Sequence, residues 1–298
     1  MDRVSASDRG SQDRAERGPR EPTIDTEDKP EVLVLGGGGA KGAVVLGALE
    51  ALRQAKHLDK VHSIVGVSVG AIIGLLLCCG FDPFEITTLA LDTNIFQDIS
   101  SINLLDIPRH AGLLSSQSIQ NKLDGCMIQK FGKVLTLHQL YLATGKTLVC
   151  VAVNITRCQT EYLSATTEPN TLCTEAVLLS MNIPILFHRR WHNGCVYIDG
   201  AFGNPYPINH LDDGKTPILG ISIVTVGECD DALYVHRIID APMAEIKRWI
   251  IEHASPLCKH LTIETTVADT TGLFVTLSSK AQMIVTGYMA TTTYLKTM

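Results

Sequence analysis

Gly66-Val67-Ser68-Val69-Gly70 is a G-x-S-x-G, and its serine is the residue best placed by type and spacing to act as a nucleophile. The motif follows the apolar run VHSIVG and precedes AIIGLLLCCG, which read as a strand and a buried helix. That is the context of a nucleophile elbow. Two glycines permit a sharp turn, the turn pushes the hydroxyl out of the chain, and the helix N-terminus favours negative charge on it. A serine N-cap between two packing glycines has the same sequence and is the plainer reading.

A second glycine-rich loop, GGGGAKG from Gly36 to Gly42, opens the helical pattern AVVLGALEALRQAKHL. It contains G-x-G-x-x-G at Gly37, Gly39 and Gly42. A dinucleotide site would also need an acid at the end of the second strand, and that strand ends in Val65-Gly66. A P-loop is excluded as well, because Lys41 does not follow a glycine and is itself followed by Gly42. What remains is a set of bare amides at a helix N-terminus, suited to a phosphate or to a transient oxyanion.

A serine hydroxyl needs a base. Histidine is the usual one, and by chain order His210, His236, His253 and His260 are candidates, although none lies in a distinctive loop. Asp199 is the better-placed acid. It ends the short apolar run VYID and opens a loop rich in Gly, Pro and Asn, a position at the carboxyl end of a strand where open parallel sheets bind ligands. A DG dipeptide alone is an ordinary turn.

The elements that must position these residues follow from periodicity. VLVL (32–35) before the first glycine loop and VHSIVG before the second give two consecutive strand–turn–helix units, hence an α/β protein with parallel strands at its centre. TLVCVAVNIT (147–156) and PILGISIVTV (217–226) read as further core strands, CTEAVLLSMNIPILF as a helix stopped near Pro184, and 243–253 and 280–295 as helices. Residues 64–81 carry no charge, but a buried strand plus a buried helix explains this better than a membrane span. Residues 1–30 hold eight acids and six bases with almost no branched apolar side chains, so they read as a disordered tail.

The 298 residues carry 25 bases against 31 acids, a net charge of −6, which argues against a nucleic-acid partner. Apolar residues reach 45% and mean hydropathy is +0.17, enough for a large core. The nine cysteines include no C-x-x-C pair and several sit in apolar runs, so neither a zinc site nor a disulfide scaffold is expected. With no signal peptide read at the N-terminus, the expected compartment is the cytoplasm.

Taken together the three segments resemble the patatin-like phospholipase family. Gly37-Gly38-Gly39-Ala40-Lys41-Gly42 resembles its G-G-G-x-[KR]-G oxyanion loop, Gly66 to Gly70 its nucleophile motif, and Asp199-Gly200-Ala201 its D-G-[AG]. EAVLLSMNIPILF is similar to the family's helix and S-x-x-x-P turn, and Asn204-Pro-Tyr-Pro to its N-x-P. The resemblance covers about residues 31–210, and 82–145 is its least family-like part.

The resemblance implies a three-layer α/β fold with a central, mainly parallel sheet flanked by helices. One such domain would span 31–298, its motif-bearing core about 31–210 and a C-terminal helical part about 236–298. It implies a lipid acyl hydrolase of the phospholipase A type acting on glycerophospholipid esters. Ser68 would be the nucleophile and Asp199 its proton acceptor in a dyad without histidine. Gly37, Gly38, Gly39, Lys41 and Gly42 would form the oxyanion hole, and Gly66 and Gly70 the elbow. Neither a cofactor nor a metal is expected. The expected partners are an acyl-lipid substrate and, transiently, a membrane surface, with the protein peripheral to the membrane. Leu104, Leu105, Ile107, Leu113 and Leu114 form a leucine-rich loop that reads as a lipid-docking element or as core. Two other functions fit the same residues: an esterase with a Ser–Asp–His triad, or a non-catalytic lipid- or anion-binding module.

Overall fold

The computed structural model describes residues 29–92, 110–226, 234–265 and 276–298. The two strand–turn–helix units form as their periodicity dictates: β1 (Val32–Leu35), α1 (Gly42–Gln54), β2 (Ser63–Val67) and α2 (Val69–Cys78). There follow α3 (Pro83–Asp92), β3 (Gly112–Leu114), α4 (Gln117–Phe131), α5 (Leu137–Thr144), β4 (Thr147–Asn154) and β5 (Gln159–Leu163). The remainder is α6 (Cys173–Ser180), β6 (Ile185–Phe187), β7 (Arg190–His192), β8 (Cys195–Asp199), β9 (Ile218–Thr225), α7 (Tyr234–His253), β10 (Cys258–Thr265) and α8 (Leu277–Leu295).

The main sheet has the order β10-β9-β1-β2-β4-β8-β7, with β5 also pairing with β4. Pairing is parallel from β10 through β4 and antiparallel for β5, β8 and β7. The central strands are apolar on both sides because both faces are covered. In β1, Leu33 and Leu35 join the cluster under α1, α2, α3, α6 and α8, while Val32 and Val34 face Tyr206, Ile208 and Ile250 on the other side. β4 divides in the same way, Leu148 and Cys150 to one face and Val149 and Val151 to the other. The result is the three-layer α/β architecture expected. Each fully buried Leu or Val contributes about 1.5–3 kcal/mol relative to exposure, and burial on both faces holds the central strands in place.

The uncharged stretch 64–81 resolves into β2 and α2 with Ser68 between them, and among the described residues no helix is long and apolar enough to cross a membrane. The described cysteines are all free, and Cys150 and Cys173 are fully buried, small apolar fillers. One expectation needs correction. The C-terminal part is not all helical. β10 lies between its two helices and adds a parallel strand beside β9, its alternating burial matching a sheet edge. Of the two readings of the leucine-rich loop, core holds for its described end: Leu114 is 6% exposed and Leu113 packs against the same cluster, because β3 pairs with β6. Leu104, Leu105 and Ile107 lie outside the described residues, as does the N-terminal tail as far as residue 28.

Candidate active site

Ser68 joins β2 to α2 through a single residue at φ 56°, ψ −124°. A side-chain-bearing residue holds this conformation only where its surroundings impose it, at a cost of about 1–3 kcal/mol. The surroundings here are two glycines that admit close backbone passage. A Cβ on Gly66 would run into the backbone of Gly70 and Ala71, and one on Gly70 would collide with the Leu35 carbonyl oxygen at the end of β1. The strained serine is thus the apex of an elbow whose arms are pressed against β1 and against each other. It sits at the carboxyl end of the parallel strands and is 6% exposed.

Asp199 is the last residue of β8, opposite Ala152 of β4, and is 2% exposed. Its Oδ1 accepts the Ala201 N–H at 2.8 Å, which caps the short turn Gly200–Phe202. The Ser68 side chain is close enough to this carboxylate to lower its proton affinity. Burial pushes the Asp199 carboxyl up to about 6, and Ser68 and the Ala201 N–H only partly offset that rise. A carboxylate with this affinity for protons, beside a serine side chain, can act as a general base near neutral pH.

The first glycine loop closes over this pair. A Cβ on Gly37 would stand 3.5 Å from the Ala201 Cβ and 3.7 Å from the Ser68 Cβ, so all three motifs meet within a few ångströms. The Gly36 N–H donates to the Ile221 carbonyl at 3.1 Å and that of Gly37 to the Pro205 carbonyl at 3.4 Å. Among the described residues the amides of Gly38 and Gly39 have no such partner, so they are the ones able to receive an oxyanion. Lys41 sends its ammonium to Thr225 Oγ1 at 2.6 Å, tying the loop to the end of β9. Gly42 packs its Cα on Val69, bringing the N-terminus of α1 against that of α2.

Three of the four candidate histidines are engaged elsewhere. His210 stacks on Tyr162 at 3.8 Å between ring centroids, and burial lowers its proton affinity. His253 is bonded through Nδ1 to the Trp249 carbonyl, and His260 through Nδ1 to the Tyr206 hydroxyl at 3.1 Å. The His236 side chain lies outside the described residues. Among the described residues no three His, Cys, Asp or Glu side chains are grouped to hold a metal ion. A 230 Å³ cavity lies between His57 and the first residues of β9 and β10, at the opposite end of the sheet from Ser68.

Three further residues serve the site that motif reading did not single out. The Ser68 N–H donates to Ser180 Oγ at 3.1 Å, and the Asp199 N–H donates to the Asn182 carbonyl at 2.9 Å. Both acceptors lie at the end of α6, in the S-x-x-x-P segment, so a signal for them was present without a role. Thr225 had no local signal at all.

A strained serine turn and a glycine loop thus meet at the carboxyl ends of parallel strands in an α/β protein. The buried aspartate joins them from β8, which pairs antiparallel with β4, and not from a parallel strand as its position in the sequence suggested. A family model described as patatin-like phospholipase matches residues 33–212, more than half of the chain, and the chain belongs to that family. A relative named "Probable lipid hydrolase 463L", from Invertebrate iridescent virus 6, is 32% identical over 182 residues. That match covers 60% of this chain, which spans 62% of the relative's length. Among solved structures, VipD from Legionella pneumophila superposes with a TM-score of 0.60 at 18% identity, covering 90% of this chain and 67% of VipD. The type III effector ExoU of Pseudomonas aeruginosa gives 0.53 at 18% identity, covering 90% and 53%. These two likenesses establish the shared fold.

Proposed function

We propose that the protein is a serine lipid acyl hydrolase that cleaves fatty acyl esters of glycerophospholipids through a Ser68–Asp199 dyad. The observation that carries this reading is the meeting of the three motifs: a serine strained at φ 56°, the glycine loop against it, and a buried Asp199, close to the Ser68 side chain, whose proton affinity is raised to about 6. Family membership and the viral relative named as a lipid hydrolase support the substrate class.

Asp199 takes the hydroxyl proton as Ser68 Oγ attacks the ester carbonyl. The carbonyl oxygen becomes an anion and is held by the Gly38 and Gly39 amides, with Gly37 and Gly42 shaping the loop and Lys41 bracing it. Collapse of the tetrahedral species breaks the bond to the glycerol oxygen, which leaves with the proton from Asp199. The acyl group stays on Ser68. Asp199 then deprotonates a water that attacks the acyl carbon, and the fatty acid departs as the proton returns to Ser68 Oγ. Substrates of this class lie in bilayers, so this reading includes transient contact with a membrane surface.

The test is labelling with a fluorophosphonate followed by identification of the modified residue, together with hydrolysis by variants. The label is expected on Ser68, and Ser68→Ala and Asp199→Asn are each expected to abolish acyl release in folded protein. His210→Ala, His236→Ala, His253→Ala and His260→Ala are expected to stay within a few-fold of the parent. Turnover retained in Asp199→Asn, or abolished by one histidine change, would replace the dyad with a triad. Lipid binding without turnover, unchanged in Ser68→Ala, would instead leave a binding module.

A further inference from the structure

We infer that Ser180 is a positioning residue that sets the attack geometry of Ser68, an inference resting on the dyad reading above. The starting point is the Ser68 backbone. At φ 56°, ψ −124° the residue belongs neither to β2 nor to α2, so its N–H is outside both ladders, in a buried place where it needs a protein partner. The partner comes from far along the chain. Ser180, fully buried at the last turn of α6, accepts that N–H on Oγ at 3.1 Å.

The same short segment also holds the other half of the dyad. Two residues beyond Ser180, the Asn182 carbonyl accepts the Asp199 N–H at 2.9 Å, and Asn182 Nδ2 donates to the Tyr197 carbonyl at 2.9 Å. A tight turn, closed by the Ile183 N–H on the Met181 carbonyl at 2.8 Å, leaves little slack between the two attachments. Ser68 and Asp199 come from strands that are not neighbours, since β4 lies between β2 and β8. The segment Ser180–Asn182 bridges that gap with one hydrogen bond to each backbone. Its effect is to hold the serine in the strained conformation that aims Oγ at the carboxylate. A displacement of about 1 Å at such a contact costs on the order of 100-fold in rate.

The experiment compares full-length parent, Ser180→Ala and Ser180→Cys by three readouts: the rate of fluorophosphonate labelling, kcat and KM on a short soluble ester, and the melting temperature. Ser180→Ala is expected to slow labelling and lower kcat by roughly 10- to 100-fold, with KM within about twofold. Ser180→Cys, which keeps a weaker acceptor, is expected to fall between. A melting temperature that drops while the folded Ser180→Ala protein labels at the parental rate would reduce Ser180 to a structural role and overturn the inference. If Ser180→Ala does not fold, Ser180→Cys decides alone: slower labelling of folded protein supports the inference, an unchanged rate overturns it. A parent labelled elsewhere than on Ser68 would be a failure of the dyad reading itself, seen before any Ser180 variant is compared.

Discussion

The Lys41 ammonium donates to Thr225 Oγ1 at 2.6 Å, so the one basic side chain of the glycine loop is tethered to the end of β9. That tether makes the lysine a brace for the amides of Gly38 and Gly39. Lys41→Met and Thr225→Val are therefore expected to lower kcat by similar factors, about tenfold each, with the double variant no worse than either single one. A double-mutant cycle on kcat checks this. Loss in Lys41→Met with full activity in Thr225→Val would mean that the lysine charge, and not the brace, does the work.

On the proposed dyad, the raised proton affinity of Asp199 is expected to set the pH dependence of both activity and stability. The base must be ionised, so kcat/KM is expected to rise with pH through an acid limb near 6. For stability the sign is opposite. The folded value, about 6, lies above the ordinary 3.8, so this group's stabilising contribution is complete below about 4 and is lost as pH rises through 6. Asp199→Asn should thus be inactive yet more stable than the parent at pH 7–8, by up to about 3 kcal/mol. Thermal melts across pH 4–8 should show that difference closing towards the acid end.

Two glycines should respond differently to alanine. At Gly70 the added Cβ collides with backbone at the end of β1, and overpacking of that kind costs about 1–3 kcal/mol and would shift the elbow. At Gly39 nothing lies within 4 Å, but φ is +55°, so only the left-handed conformation is penalised, by about 1–2 kcal/mol. Gly70→Ala is expected to lose labelling at Ser68, whereas Gly39→Ala is expected to melt somewhat lower and still label.

Leu113→Ser with Leu114→Ser separates a docking loop from core. Because Leu114 is buried and β3 pairs with β6, the double change is expected to lower the melting temperature. Hydrolysis of bilayer lipid and of a short soluble ester should fall together. A selective loss on vesicles at unchanged melting temperature would restore the docking role.

Much of this architecture is written locally. VLVL and VHSIVG alternate or run apolar as strands buried on both faces must, and the glycines after them tell where the chain turns into a helix. Gly66, Ser68 and Gly70 are separated by a single residue each, so the elbow is a short-range steric fact, legible before any fold is known. Thr225, Ser180 and Asn182 are of another kind. Their partners, Lys41, Ser68 and Asp199, lie in remote stretches of chain, and no periodicity links a threonine at the end of one strand to a lysine at the start of a helix. β10 was similarly hidden, since CKHLTIET is half polar and becomes a strand only by pairing with β9 at the sheet edge. The raised proton affinity of Asp199 is tertiary too, because the burial that causes it comes from packing β8 against β4 and α6. Residue type and spacing determined which groups could react. Long-range packing alone decided that Ser68 and Asp199 come together in a buried site.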